Sequence, residues 1–180
     1  FIALYPQQEY IRCKKSMKTV HLIRHAKSSW NLPGLSDAER PLNSRGQRAC
    51  AIMASKILDA GCDFKTVHCS IAKRAQLTIE GIAAALPEQS ITWNLESHLY
   101  TFNSQDLFDY CQNLDDELAS IVLVGHNPAM TGFTNGMGDQ FIDNLPTCGY
   151  VQIELPAESW NEIAPETGTT KTILTPRMFR

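Results

Sequence analysis

An α/β/α sandwich with a largely parallel central sheet is the fold this sequence predicts, and three observations predict it. Short β-rich runs alternate with helix-patterned segments from residue 19 onward. Residues 121–125 (IVLVG) are apolar without a break, the mark of a strand covered on both faces. The 180 residues, 43% hydrophobic and 19% charged, suit one globular domain and exclude collagen-like, disordered and membrane classes.

Taken in order, residues 19–24 (TVHLIR) read as the first strand, with Val20, Leu22 and Arg24 on one face and His21 and Ile23 on the other. Residues 25–40 are polar, carry Pro33 and Gly34, and read as a long loop. Asn43 or Ser44 can cap a helix that runs to about Ala60 and stops at Gly61. A second strand follows at 66–70 (TVHCS), then a helix at 73–86 ended by Pro87. Residues 91–93 predict a brief third strand, and 104–118 a helix capped by Ser104. After the buried strand at 121–125, Asn127 and Pro128 supply a cap and an N1 proline for the next helix. Residues 150–155 alternate as a half-buried strand, and 170–174 form an edge strand.

Charge and cysteine usage narrow the function classes. A net charge of −3 leaves no basic excess to neutralise phosphates, which argues against a nucleic-acid binder. No apolar run reaches the roughly 18–20 residues of a membrane span. The six cysteines, 13, 50, 62, 69, 111 and 148, include no C-x-x-C pair, so neither a zinc site nor a redox motif is indicated. They read as reduced thiols of a cytoplasmic protein, with a secreted, three-bridge form as the alternative. Residues 1–16 fit no signal peptide, because Pro6 interrupts the apolar start and the basic cluster follows it. They are expected to be an extension without catalytic role, and the domain is expected to occupy residues 17–180.

In open α/β sheets, ligands bind beyond the carboxyl ends of the strands. Three of those ends carry unusual residues here: Arg24-His25, Ser70 with Arg74 four residues on, and Gly125-His126-Asn127-Pro128. Taken singly, each is most simply structural: a chance dipeptide, a solvated helix arginine, a hydrogen-bonded loop histidine. Together, two arginines and two histidines describe a pocket for a doubly charged anion, and phosphate is the candidate because guanidinium groups grip its oxygens in pairs. No metal site is indicated. His21 and His25 have helical metal spacing but lie across a strand and its exit, too far apart to share an ion.

The same residues resemble a known family. Residues 24–31 (RHAKSSWN) are similar to the R-H-G-x-S-x-W-N signature of the histidine phosphatase superfamily, which includes phosphoglycerate mutases. Arg40-Pro41-Leu42 with Gly46 resembles its R-P-L-x-x-x-G segment, residues 70–78 its S-x-x-x-R-A-x-x-T segment, and residues 124–128 its second-histidine motif. The likeness runs from about Met17 to the chain end and is nearest to the phosphohistidine phosphatase branch typified by SixA. Four positions depart from the pattern: Ala26 replaces glycine, Ile71 stands where proline often follows the serine, and Gln76-Leu77 inverts the usual order.

The resemblance implies a phosphoglycerate mutase-like fold and a metal-independent, cofactor-free phosphatase. His25 matches the nucleophile, Arg24 and Arg74 the phosphate clamps, His126 the second histidine, and Asn31 a frequent phosphate contact. A general acid is less defined: Glu96 could serve, His98 could replace it, or neither acts. An alkoxide leaving group needs such an acid, whereas the imidazole of a phosphohistidine, with an ordinary pKa near 6.5, needs far less help. The expected substrate is therefore a phosphohistidine-bearing protein, such as a phosphotransfer domain, acted on by a cytoplasmic monomer with no nucleic-acid or membrane partner. A small-molecule phosphomonoesterase and a non-catalytic phosphate-binding module are the alternatives.

Overall fold

The computed structural model describes residues 17–30 and 33–179, so the extension at 1–16 and the Asn31 contact lie outside the described residues. A six-stranded sheet runs through the middle in the order β3-β2-β4-β1-β5-β6. Its strands are β1 (Lys18–Arg24), β2 (Val67–Ser70), β3 (Asn94–Glu96), β4 (Ser120–Gly125), β5 (Tyr150–Leu155) and β6 (Thr169–Leu174). The first four are mutually parallel; β5 and β6 add an antiparallel edge. Helices α1 (Ser44–Asp59) and α2 (Lys73–Ala85) cover one face, α3 (Ser104–Gln112) and α4 (Ala129–Met137) the other.

Strand alternation divides the core as the period-2 pattern requires. Val20 and Leu22 of β1 pack with Leu107, Met130, Phe133 and Trp160 on one side. Ile23 turns to the other, among Met53, Ile57, Ile79 and Ile82. β4, between β1 and β2, is buried along 121–125, which accounts for its unbroken apolar run. The five described cysteines are buried and free, and burial pushes the thiols of Cys62 and Cys69 up to about 12, so both stay protonated at neutral pH. None of the described helices is long and apolar enough to cross a membrane.

Most expected elements stand within a residue or two of their places; three are corrected. The third strand is 94–96, not 91–93, because the ladder of the four-residue β2 pairs His68 with Asn94 and Ser70 with Glu96. Ile91 instead drops into the core below. α3 stops at Gln112 rather than 118 and takes its cap from Asn103, whose side chain accepts the Gln105 N–H at 3.0 Å. Pro128 is the N-cap residue of α4 and not its first helical residue.

α1 begins where Asn43 Oδ1 accepts the Gly46 N–H at 2.9 Å, choosing Asn43 over Ser44 as the cap. It ends at Gly61, whose φ of +94° a side-chain-bearing residue rarely adopts. Gly46 has a second role: a Cβ there would run into the Lys27 carbonyl. Its bare Cα lets the first turn of α1 close against the segment that follows β1.

Candidate active site

The parallel ladders bring the carboxyl ends of β1, β2 and β4 to one rim, with Arg24 opposite Gly125 and Cys69 opposite Val124. The chain leaving β1 is pinned at once. His25 N–H donates to the Gly125 carbonyl at 2.9 Å, and Cys148 N–H donates to the carbonyls of Arg24 and His25 at 3.0 and 3.2 Å. Ala26 N–H donates to Thr78 Oγ1, whose hydroxyl donates to the Arg74 carbonyl at 2.6 Å. That relay ties the His25 segment to the helix that carries Arg74.

His25 is 9% exposed and its Nδ1 lies 2.8 Å from the Ala26 carbonyl. A carbonyl only accepts, so the ring proton sits on Nδ1 and the lone pair stands on Nε2. Burial, with the nearby charges of Arg74, Arg24 and Arg40, pushes the imidazole down to about 4 against the small opposing effect of the Ala26 bond. At neutral pH the ring is uncharged and nucleophilic at Nε2.

His126 lies beside it, ring centroids 5.2 Å apart, and is 1% exposed. Ser70 Oγ accepts the Ala72 N–H at 3.3 Å and stands 2.8 Å from His126 Nε2, placed to donate to it. The ring proton then falls on Nδ1, a buried atom without a partner. Burial first, then His25 and Arg74, push this imidazole down to about 3.

Arg74 is 2% exposed and aims two nitrogens at one residue: Nη1 donates to the Asp37 carbonyl at 2.5 Å and Nη2 to Asp37 Oδ2 at 2.9 Å. Arg24 donates from Nη1 to the Leu145 carbonyl at 2.6 Å and to Asn144 Oδ1 at 3.3 Å. Asn127 Nδ2 grips the same two acceptors, which fixes the loop after β4 to the one bearing Asn144. The Nε atoms of both arginines are buried and unpaired, donor capacity that an oxyanion would use.

Four residues singled out by sequence, Arg24, His25, Arg74 and His126, therefore converge. Glu96 does not join them: its charge acts on His68 and Tyr110. His98 stacks toward Tyr110 as well, ring centroids 6.3 Å apart. It lines, with His68 and Tyr110, a cavity of about 980 Å³ beside β2 and α3.

Residues not assigned from sequence complete the site. Asp37 accepts from Arg74, from Arg40 Nη2 at 2.7 Å and from the Tyr100 hydroxyl at 2.7 Å. Partial burial works against its ionisation, yet the hydrogen bonds from Tyr100, Arg40 and Arg74 hold the carboxyl at about 2. Tyr100 meets His126 edge-on at 5.3 Å, and Phe102 lies 5.6 Å from the same ring. Asp37 stands three residues before Arg40 and Tyr100 four after Glu96, so both flank motifs that were legible. No local signal marks the roles they share, because the Asp37–Arg74 and Asp37–Tyr100 contacts span 37 and 63 residues.

Residues 20–99 match the model of the histidine phosphatase superfamily (branch 1). The match spans less than half of the chain and marks a likeness to that superfamily. An uncharacterized Mycobacterium tuberculosis protein is 23% identical over 153 residues, 79% of this chain and 92% of that protein. The structure of the protein histidine phosphatase SixA complexed with tungstate superposes with a TM-score of 0.73 at 20% identity, covering 90% of this chain and 99% of that one. A protein from Agrobacterium tumefaciens assigned to the SixA phosphohistidine phosphatases gives 0.72 at 24% identity, covering 88% and 98%. These structures share the fold of this chain.

The buried histidines of the site make a testable pH signature. In the free protein, the His25 and His126 imidazole resonances are expected to hold their neutral positions from pH 8 to about 5 and to titrate near 4 and 3. Their folded values lie below the unfolded 6.5, so the unfolded chain binds more protons. The stability they contribute is complete above pH 6.5 and is lost as pH falls through about 4. Titration of either ring near 6.5 by NMR would contradict the assigned neutral pair.

Among the described residues, no group of three or more His, Cys, Asp or Glu side chains could hold a metal ion.

Proposed function

We propose that this chain is a phosphohistidine phosphatase of the SixA type, acting on a phosphohistidine displayed by a partner protein such as a phosphotransfer domain. His25 carries the reading: a buried, neutral imidazole whose Nδ1 is committed to Ala26 and whose Nε2 is free, set among two arginines and a second histidine. Nε2 attacks phosphorus in line as the substrate's P–N bond breaks. The substrate ring, protonated by solvent at its distal nitrogen, departs as neutral imidazole, with the bonding pair kept on the nitrogen that held phosphorus. Water then attacks the phosphoryl-His25 intermediate, releasing inorganic phosphate and restoring the neutral ring. Arg24, Arg74 and the Nδ1–H of His126 hold the phosphoryl oxygens through both steps. Asn31 remains a proposed contact of the same group.

The carboxylates favour a good leaving group. Asp37, whose charge reaches His126, is held ionised and has no proton to give at neutral pH. The charge of Glu96 falls on His68 and Tyr110. An imidazole departs without the proton that an alkoxide requires. The reading calls for no metal and places the enzyme in the cytoplasm as a monomer.

The test is phosphate release from a phosphohistidine-bearing protein and from an alkyl phosphate, side by side in EDTA. Release from the phosphohistidine alone is expected. Preference for the ester would move the assignment to a small-molecule phosphomonoesterase, and release from neither would leave a binding module.

A further inference from the structure

Phe102 stands out because it is held in place while its face is left open. Phe102 is 47% exposed, in the short segment between Tyr100 and α3. Thr101 Oγ1 donates to Asp106 Oδ2 at 2.5 Å and accepts the Asn103 N–H at 3.1 Å, and Asn103 caps α3. The backbone on either side of Phe102 is thus fixed. Tyr100, its neighbour, is anchored through its hydroxyl to Asp37 and meets the Phe102 ring edge-on at 5.7 Å.

The rings form a series from the floor of the site to its mouth: His25 and His126 are 5.2 Å apart, and His126 and Phe102 5.6 Å apart. The first two are buried; the third is open. An in-line displacement by His25 sends the leaving group away from the buried floor, toward the mouth. A flat, polarisable ring there finds an aromatic face, with Tyr100 closing one side.

We infer that Phe102, braced by Tyr100, is the surface on which the imidazole of the substrate stacks as it leaves, and that it selects a planar heteroaromatic leaving group over a small or flexible one. The inference rests on the phosphohistidine reading and adds a specificity residue to it. Phe102 touches no phosphoryl oxygen in this scheme, so its effect falls on discrimination between leaving groups. A stacked aromatic pair is worth about three- to tenfold in rate ratio.

The probes are N-phosphorylimidazole, whose leaving group is a ring, and phosphoramidate, whose leaving group is ammonia. The readout is the ratio of the two kcat/KM values. Phe102→Ala and Phe102→Leu are expected to lower that ratio by about three- to tenfold, and Phe102→Trp to keep it. Leucine preserves apolar bulk, so a ratio unchanged in Phe102→Leu would overturn the stacking role. A loss shared equally by both probes would overturn it too, since that outcome marks a general effect on the site. Wild-type enzyme that cleaves phosphoramidate but not N-phosphorylimidazole would overturn the phosphohistidine reading itself, a result distinct from either of these.

Discussion

Turnover in His25→Ala is expected to fall by about four orders of magnitude or more, the scale seen when a covalent nucleophile is removed. No other residue of the cluster presents an uncommitted, neutral ring nitrogen in the same setting. His126 has its Nε2 engaged with Ser70 and its proton placed on Nδ1. His25→Asn is the companion variant, because its amide can still donate to the Ala26 carbonyl and preserve the turn. Phosphate release by either variant within tenfold of wild type would remove His25 from the chemistry.

Arg74→Ala carries the second large effect, a loss of about two orders of magnitude in kcat. Arg74 is buried beside both histidines in a charge field that His25 and His126 each register. The substitution also takes two donors from Asp37, leaving that residue to Arg40 and Tyr100. Arg74→Lys separates charge from geometry, since it keeps the positive charge and loses the planar fork. It is expected to recover part of the loss, about tenfold. A full rate in Arg74→Ala, with folding verified by thermal melt, would exclude Arg74 from the phosphate clamp.

What the sequence made legible was whatever depends on short spacing. Arg24 and His25 are adjacent, Ser70 and Arg74 lie four residues apart, and His126 directly follows an unbroken apolar strand. Strand-end placement alone was enough to group them. Element boundaries were less legible, because pairing partners set them: residues 91–93 have β propensity, yet the ladder with β2 begins at Asn94. Likewise helix-compatible residues continue past Gln112, but α3 closes there, with the N–H groups of Asn113 and Leu114 donating to the Tyr110 and Cys111 carbonyls.

The outer half of the site was not legible. Asp37 sits in a segment that reads as loop, and its importance arises from Arg74 and Tyr100, each brought to it by folding. Arg40 was noted for its Arg-Pro-Leu motif; in the fold its guanidinium binds Asp37 and lies 3.6 Å over the Trp30 ring. Glu96 shows the reverse case. The resemblance suggested an acid in the segment after the third strand, but Glu96 closes β3 itself, opposite Ser70, and its charge acts on His68 and Tyr110.

The central claim is a phosphoryl group carried covalently by His25, and trapping that intermediate tests it most directly. Wild-type protein would be mixed with a substrate radiolabelled at phosphorus, quenched in alkali where phosphorus–nitrogen bonds persist, digested and mapped. The account predicts label on the peptide containing His25 and none in His25→Asn. Steady phosphate release with no label on the wild-type protein under rapid quench, or label carried by His126, would contradict it.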